Sequence, residues 1–202
     1  MTQTGAVFLS ASVPLVDRGH YHETADPFLI QSAVRELVLA TIHYRHLVWG
    51  GHPAITPMVW AICADLGLDY SKAVTLYQST FFRDRFPEEN KHFGNVVYVE
   101  AAGNSREDSL DLLRRTMFSR DDLTAAVFIG GMEGVLEEFH LFNKLQPNAK
   151  SVAVGSPGGA ALDLAKSLYP QDPARVHDVD YARLFFREFP PPAPTPETRK
   201  LG

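Results

Sequence analysis

Six short runs rich in apolar, β-branched and aromatic residues punctuate the chain: AVFLSA (6–11), HLVWGG (46–51), AVTLYQS (73–79), NVVYVEA (95–101), AAVFIGG (125–131) and SVAVGS (151–156). Most are continuously apolar, the pattern of strands buried on both faces. Between them lie segments with apolar residues at helical spacing. In 28–47, Leu29, Ala33, Leu37 and Thr41 run beside Ile30, Val34, Val38 and Ile42 as two i, i+4 rows, giving one broad apolar face. Segment 54–66 is apolar nearly all round. Segment 105–119 carries Leu110, Leu113, Met117 and Phe118 on one side, 134–145 carries Val135, Phe139 and Phe142, and 158–168 carries Ala161, Leu164 and Leu168. Strands that need cover on both faces, alternating with helices that can supply it, predict an α/β protein. The expected form is a Rossmann-like three-layer α/β/α fold with a mainly parallel sheet.

The length of 202 residues suits one domain. It is expected over 1–189, followed by an extended proline-rich tail, PPPAPTPETRKLG, at 190–202. Residues 12–27 and 80–94 form long polar loops after the first and third strands, a placement usual for functional segments. A net charge of −5 disfavours a nucleic-acid polymer, because no basic patch exists to displace counterions. The single cysteine, Cys63, excludes an intrachain disulfide and a cysteine zinc cluster, and its apolar neighbours place it in the core. The first fourteen residues lack a signal-peptide pattern, and no run approaches the roughly 18 apolar residues of a membrane span. The expectation is a cytoplasmic domain without a membrane partner.

In a parallel sheet, the loops leaving the C-terminal strand ends gather at one edge, where ligands bind. Four turns should meet there: LSASVP (9–14), GGHPAITP (50–57), GGMEGVLEE (130–138) and GSPGGAA (155–161). Each puts small residues ahead of a helix start, so that backbone N–H groups and the helix dipole can cradle an anion. The candidate ligand-binding residues are Ser10, Ser12, Gly50, Gly51, His52, Gly130, Gly131, Glu133, Gly134, Ser156, Gly158 and Gly159. No turn is a complete GxGxxG and no Walker lysine is present, which argues against an ATPase. The third turn poses a problem, since Glu133, Glu137 and Glu138 crowd a helix start suited to anions. Acids there stabilise the helix dipole, yet they repel a phosphate. Both facts fit if phosphate rests on the other turns while a carboxylate meets ribose hydroxyls.

The histidine pairs His20/His22 and His43/His46 lack flanking carboxylates in a ligand pattern, so no metal site is expected. His52 serves either as a hydrogen-bonding ligand group or as a cap. Tyr21 either stacks on a base or packs within its loop.

The turn series resembles the SLOG superfamily, which includes the LOG phosphoribohydrolases and their PGGxGTxxE motif. Gly131, Gly134 and Glu138 fall on its first glycine, last glycine and glutamate; Gly50-Gly51-His52 stands at the earlier glycine turn. Arg115, beside Arg114, occupies the place of the family arginine. Met132 replaces the second glycine, Val135 the threonine and Gly130 the proline. WGGHPAITPMV and SPGGAA are closer to SLOG branches that accompany bacterial defence and signalling. The resemblance implies a sensor of a nucleotide or an NAD-derived, ADP-ribose-like molecule, acting on a separate effector protein. The enzymatic alternative is N-glycosidic cleavage of a nucleoside monophosphate, with Glu138 and Arg115 as catalytic residues. A homo-oligomer paired through helices near the site is also implied, with no cofactor.

Overall fold

The computed structural model describes residues 5–67 and 73–193. Six strands form one sheet: β1 (Ala6–Ser12), β2 (His46–Trp49), β3 (Val74–Ser79), β4 (Val96–Val99), β5 (Leu123–Gly130) and β6 (Lys150–Val154). Their spatial order is β4-β3-β2-β1-β5-β6, and all five pairings are parallel. The helices are α1 (Pro27–Thr41), α2 (Thr56–Asp65), α3 (Arg106–Phe118), α4 (Glu133–Leu145), α5 (Ala160–Leu168), α6 (Pro173–Val176) and α7 (Tyr181–Glu188). Helices cover both faces of the sheet, so the fold is Rossmann-like α/β, as its alternating sequence predicts.

Side-chain alternation along β1 divides the core. Val7 and Leu9 face α1, α2 and α7, whereas Ala6 and Phe8 face α3, α4 and α5. On the second side Phe8 meets Phe118 edge-on at 4.8 Å between ring centroids and stacks with Phe142 at 6.2 Å. Such aromatic pairs add about 0.5–1.5 kcal/mol each beyond burial.

The periodicity of 28–47 overruns the first helix. Asp26 caps the N-terminus by accepting from the Phe28 and Leu29 amides at 2.9 and 3.1 Å, with Pro27 at the first helical position. The helix ends at Thr41, where the amides of Tyr44 and Arg45 both turn back to the Thr41 carbonyl. His46 N then bonds to Gly5 O and enters the sheet. The proline-rich tail lies outside the described residues from 194 onward. No described helix is long and apolar enough to cross a membrane.

Candidate functional site

β1 pairs with both β2 and β5, and the chain proceeds from these two strands toward opposite edges of the sheet. A crevice therefore opens between the carboxyl ends of β1 and β5, the switch point where parallel sheets bind ligands. A cavity of about 330 Å³ lies there. Its walls include Ser12 at the end of β1, Gly50–His52 after β2, Arg106, Leu110 and Arg114 on α3, and Met132 through Val135 with Glu137 and Glu138 at the start of α4. Arg18 reaches it from the first long loop.

At the base of this cavity, Ser10 Oγ donates to Glu138 Oε2 at 2.5 Å. The Glu138 side chain is 21% exposed and that of Arg114 only 11%. Arg114 spans the first turns of α4. Its Nη1 donates to Glu137 Oε2 at 2.5 Å, its Nε to Glu138 Oε1 at 3.4 Å, and its Nη2 to Gly134 O at 3.4 Å. Gly134 permits this path, since a Cβ there would stand 3.2 Å from Arg114 Nη2. Burial pushes the Glu138 carboxyl above the usual carboxylate range, against the opposing pull of Arg114 and the Ser10 hydroxyl. Two of the three crowded acids are thus partners of one arginine. Glu133 is exposed in the first turn of α4, where a carboxylate complements the helix dipole.

His52 holds its own turn together. Its Nδ1 accepts from the Ala54 amide at 3.2 Å, and its amide donates to Thr56 Oγ1 at 3.3 Å. An amide can only donate, so the proton of the neutral ring sits on Nε2. Burial lowers the pKa of the ring and keeps it neutral near physiological pH. His52 combines a capping contact with a place on the cavity wall.

The fourth turn stands apart. Gly159 packs under the third turn, and a Cβ on it would lie 2.8 Å from Gly131 O. Ala160 N also bonds to Gly131 O at 2.9 Å. Gly159 N donates to Thr24 Oγ1 at 3.1 Å, while Ser156 Oγ donates to Asp178 O at 2.7 Å. The Thr24–Asp26 stretch covers this turn, so Ser156, Gly158 and Gly159 support the cavity from behind without lining it. Gly130 and Gly131 also lie behind the wall, with Gly131 N bonded to Ser12 O at 2.8 Å. Tyr21 is buried, which assigns it to loop packing.

Arg115 is placed away from the cavity. Its side chain is 51% exposed and pairs with Asp111 at 2.6 Å on the outer side of α3. Its neighbour Arg114 occupies the site. Helical geometry carries that signal: at 100° per residue, Arg114 lies about 40° around the helix from Leu110, and Arg115 about 140°. With Leu110, Leu113 and Met117 facing inward, the first position borders the core stripe and the second does not. Arg18 and Arg106 carried no comparable sequence signal. Among the described residues, no cluster of His, Cys, Asp and Glu could hold a metal ion.

Fold and site together define a Rossmann-like α/β protein with a ligand-sized cleft at the switch point of its sheet. The profile of the SLOG cluster3 family matches residues 20–189, and the chain belongs to that family. No curated protein and no solved structure gives a significant match.

Proposed function

We propose that this protein binds a nucleotide or nucleotide derivative in the switch-point cleft and acts as a sensor of it. The observation that carries this reading is the Ser10–Glu138–Arg114 constellation. It places a guanidinium that can meet a phosphate beside carboxylates that can accept from ribose hydroxyls. First-turn amides of α4 and the Nε2–H of His52 add neutral donors. SLOG membership supports the same ligand class.

Arg114 joins α3 to α4 through Glu137 and Glu138. An incoming phosphate competes for that guanidinium, so binding is coupled to the contact between the helices. Such coupling is what a sensor needs in order to pass its state to a separate effector or a second copy of the chain. One observation favours turnover instead: a carboxyl raised by burial beside an arginine is suited to acid–base work on an N-glycosidic bond.

A thermal-shift screen of nucleotides and ADP-ribose derivatives tests binding, with mass spectrometry of the same mixtures to detect products. Stabilisation without product is expected. Failure of every compound to stabilise the protein would refute nucleotide binding, and release of free base abolished by Glu138→Gln would replace the sensor with a hydrolase.

A further inference from the structure

We infer that the cleft continues past the Gly50–His52 turn into a ring subsite, where the planar base of the nucleotide lodges and Gln78 donates to an acceptor on that ring. The inference rests on the nucleotide reading for its ligand class and is carried by a separate cavity.

This second cavity, of about 260 Å³, shares Gly50, Gly51, His52, Leu110 and Leu113 with the first, so one molecule can extend through both. The chemistry changes between them. The first contains Arg114 and the α4 carboxylates, whereas the second is walled by Phe82, Phe86, Pro87, Leu110 and Leu113. Arg85 is its one charged lining residue and is exposed. Phe86 stacks on Tyr98 at 5.9 Å and 27° between ring planes, which fixes the orientation of an aromatic wall. Flat heteroaromatic rings are well matched to such surfaces, because stacking requires only a π-face.

Gln78, at the end of β3, supplies the polar element. The residue is 5% exposed, and its Nε2 is buried without a hydrogen-bond partner. A buried donor with no acceptor costs free energy that an incoming acceptor recovers. Ring nitrogens and ring carbonyls are acceptors of that kind. Gly51 leaves room for this amide: with φ at +67°, it already favours glycine, and a Cβ there would fall 1.7 Å from Gln78 Nε2. The glycine turn therefore serves both lobes, bordering the phosphate cleft on one side and the amide on the other.

The test divides the ligand into halves. Isotope-labelled protein is titrated with each common nucleoside, which has a ring and no phosphate, and with ribose 5-phosphate, which has a phosphate and no ring. The side-chain amide resonance of Gln78 is followed by NMR and identified by its loss in Gln78→Met. Removing an unpaired donor with a side chain of similar length should leave the fold intact; the wild-type amide shift provides the readout if it does not. At least one nucleoside should move the Gln78 amide, while ribose 5-phosphate should move resonances around Arg114 and leave Gln78 still. Gln78→Met should weaken that nucleoside about tenfold, as expected for a lost buried hydrogen bond, with ribose 5-phosphate within about twofold. The subsite is overturned if no nucleoside reaches Gln78, or if Gln78→Met weakens both probes alike. Binding of ribose 5-phosphate with no nucleoside moving the Gln78 amide would remove the subsite and leave the phosphate cleft standing. A nucleoside at Gln78 without ribose 5-phosphate binding would do the reverse.

Discussion

Replacing Arg114 and Arg115 separately with alanine should have sharply unequal effects. The side chain of Arg115 is half exposed and its only described salt bridge is an i,i+4 pair with Asp111, so its loss should leave stability nearly unchanged. Arg114→Ala strips Glu138 of its cationic partner at a position only 21% exposed. Breaking a fully buried pair costs about 3–5 kcal/mol, but Glu138 has an escape by taking up a proton. From the ordinary value of 4.5 to pH 7, that route costs about 3.4 kcal/mol at about 1.36 kcal/mol per pH unit, which sets the ceiling. Partial exposure and the remaining Ser10 hydrogen bond lower the expectation to about 1.5–3 kcal/mol, roughly 3–12 °C in melting temperature for a domain of this size. The sign with pH is also set. The Glu138 pKa is already raised in the folded protein and rises further without Arg114, so the loss should vanish below the raised wild-type value, which lies above 4.5, and grow as pH rises through it. Differential scanning fluorimetry of wild type and both variants from pH 4 to 8 measures all of this. A deficit independent of pH, or a larger effect from Arg115→Ala, would refute the assignment of Arg114 as the counterion of Glu138.

Wild type should be most stable relative to Glu138→Gln at low pH and lose that advantage as pH rises above 4.5 through the raised folded value; an opposite slope in paired melting curves would contradict the burial argument. Gly158→Ala should destabilise by about 1–3 kcal/mol from its positive φ alone. Its Cβ would also stand 1.9 Å from Thr24 O, so the 20–26 loop should be displaced as well, visible as faster proteolysis there. Phe8→Ala should cost about 3–5 kcal/mol in urea unfolding, because the ring is buried against Phe118, Phe128 and Phe142.

Much of the architecture was legible in the amino-acid sequence. All six strands occur where the six apolar-rich runs stand, most of them continuously apolar because a strand buried on both faces leaves few positions for polar residues. Five helices follow their apolar stripes, and the end of the first was obscured only because the stripe continues into β2. The helix α7 was harder to see: eight residues give little periodicity, and its value lies in burying Phe185 against the α1 side of the core. The glycine turns and Glu138 were likewise visible as local patterns. Their division of labour was not. Ser10 and Glu138 are 128 residues apart, and their contact exists only because β5 pairs directly with β1. The choice of Arg114 over Arg115 depends on the rotation of α3 once its apolar stripe is packed against the sheet. The fourth turn became a buttress because Thr24 and Asp26, far away in sequence, fold over it and occupy its backbone donors and acceptors. Local sequence determines which segments can be strands, helices or tight turns, since those preferences act over a few residues. Which side chains face a common cleft depends on strand order and helix rotation, and tertiary packing alone decided both.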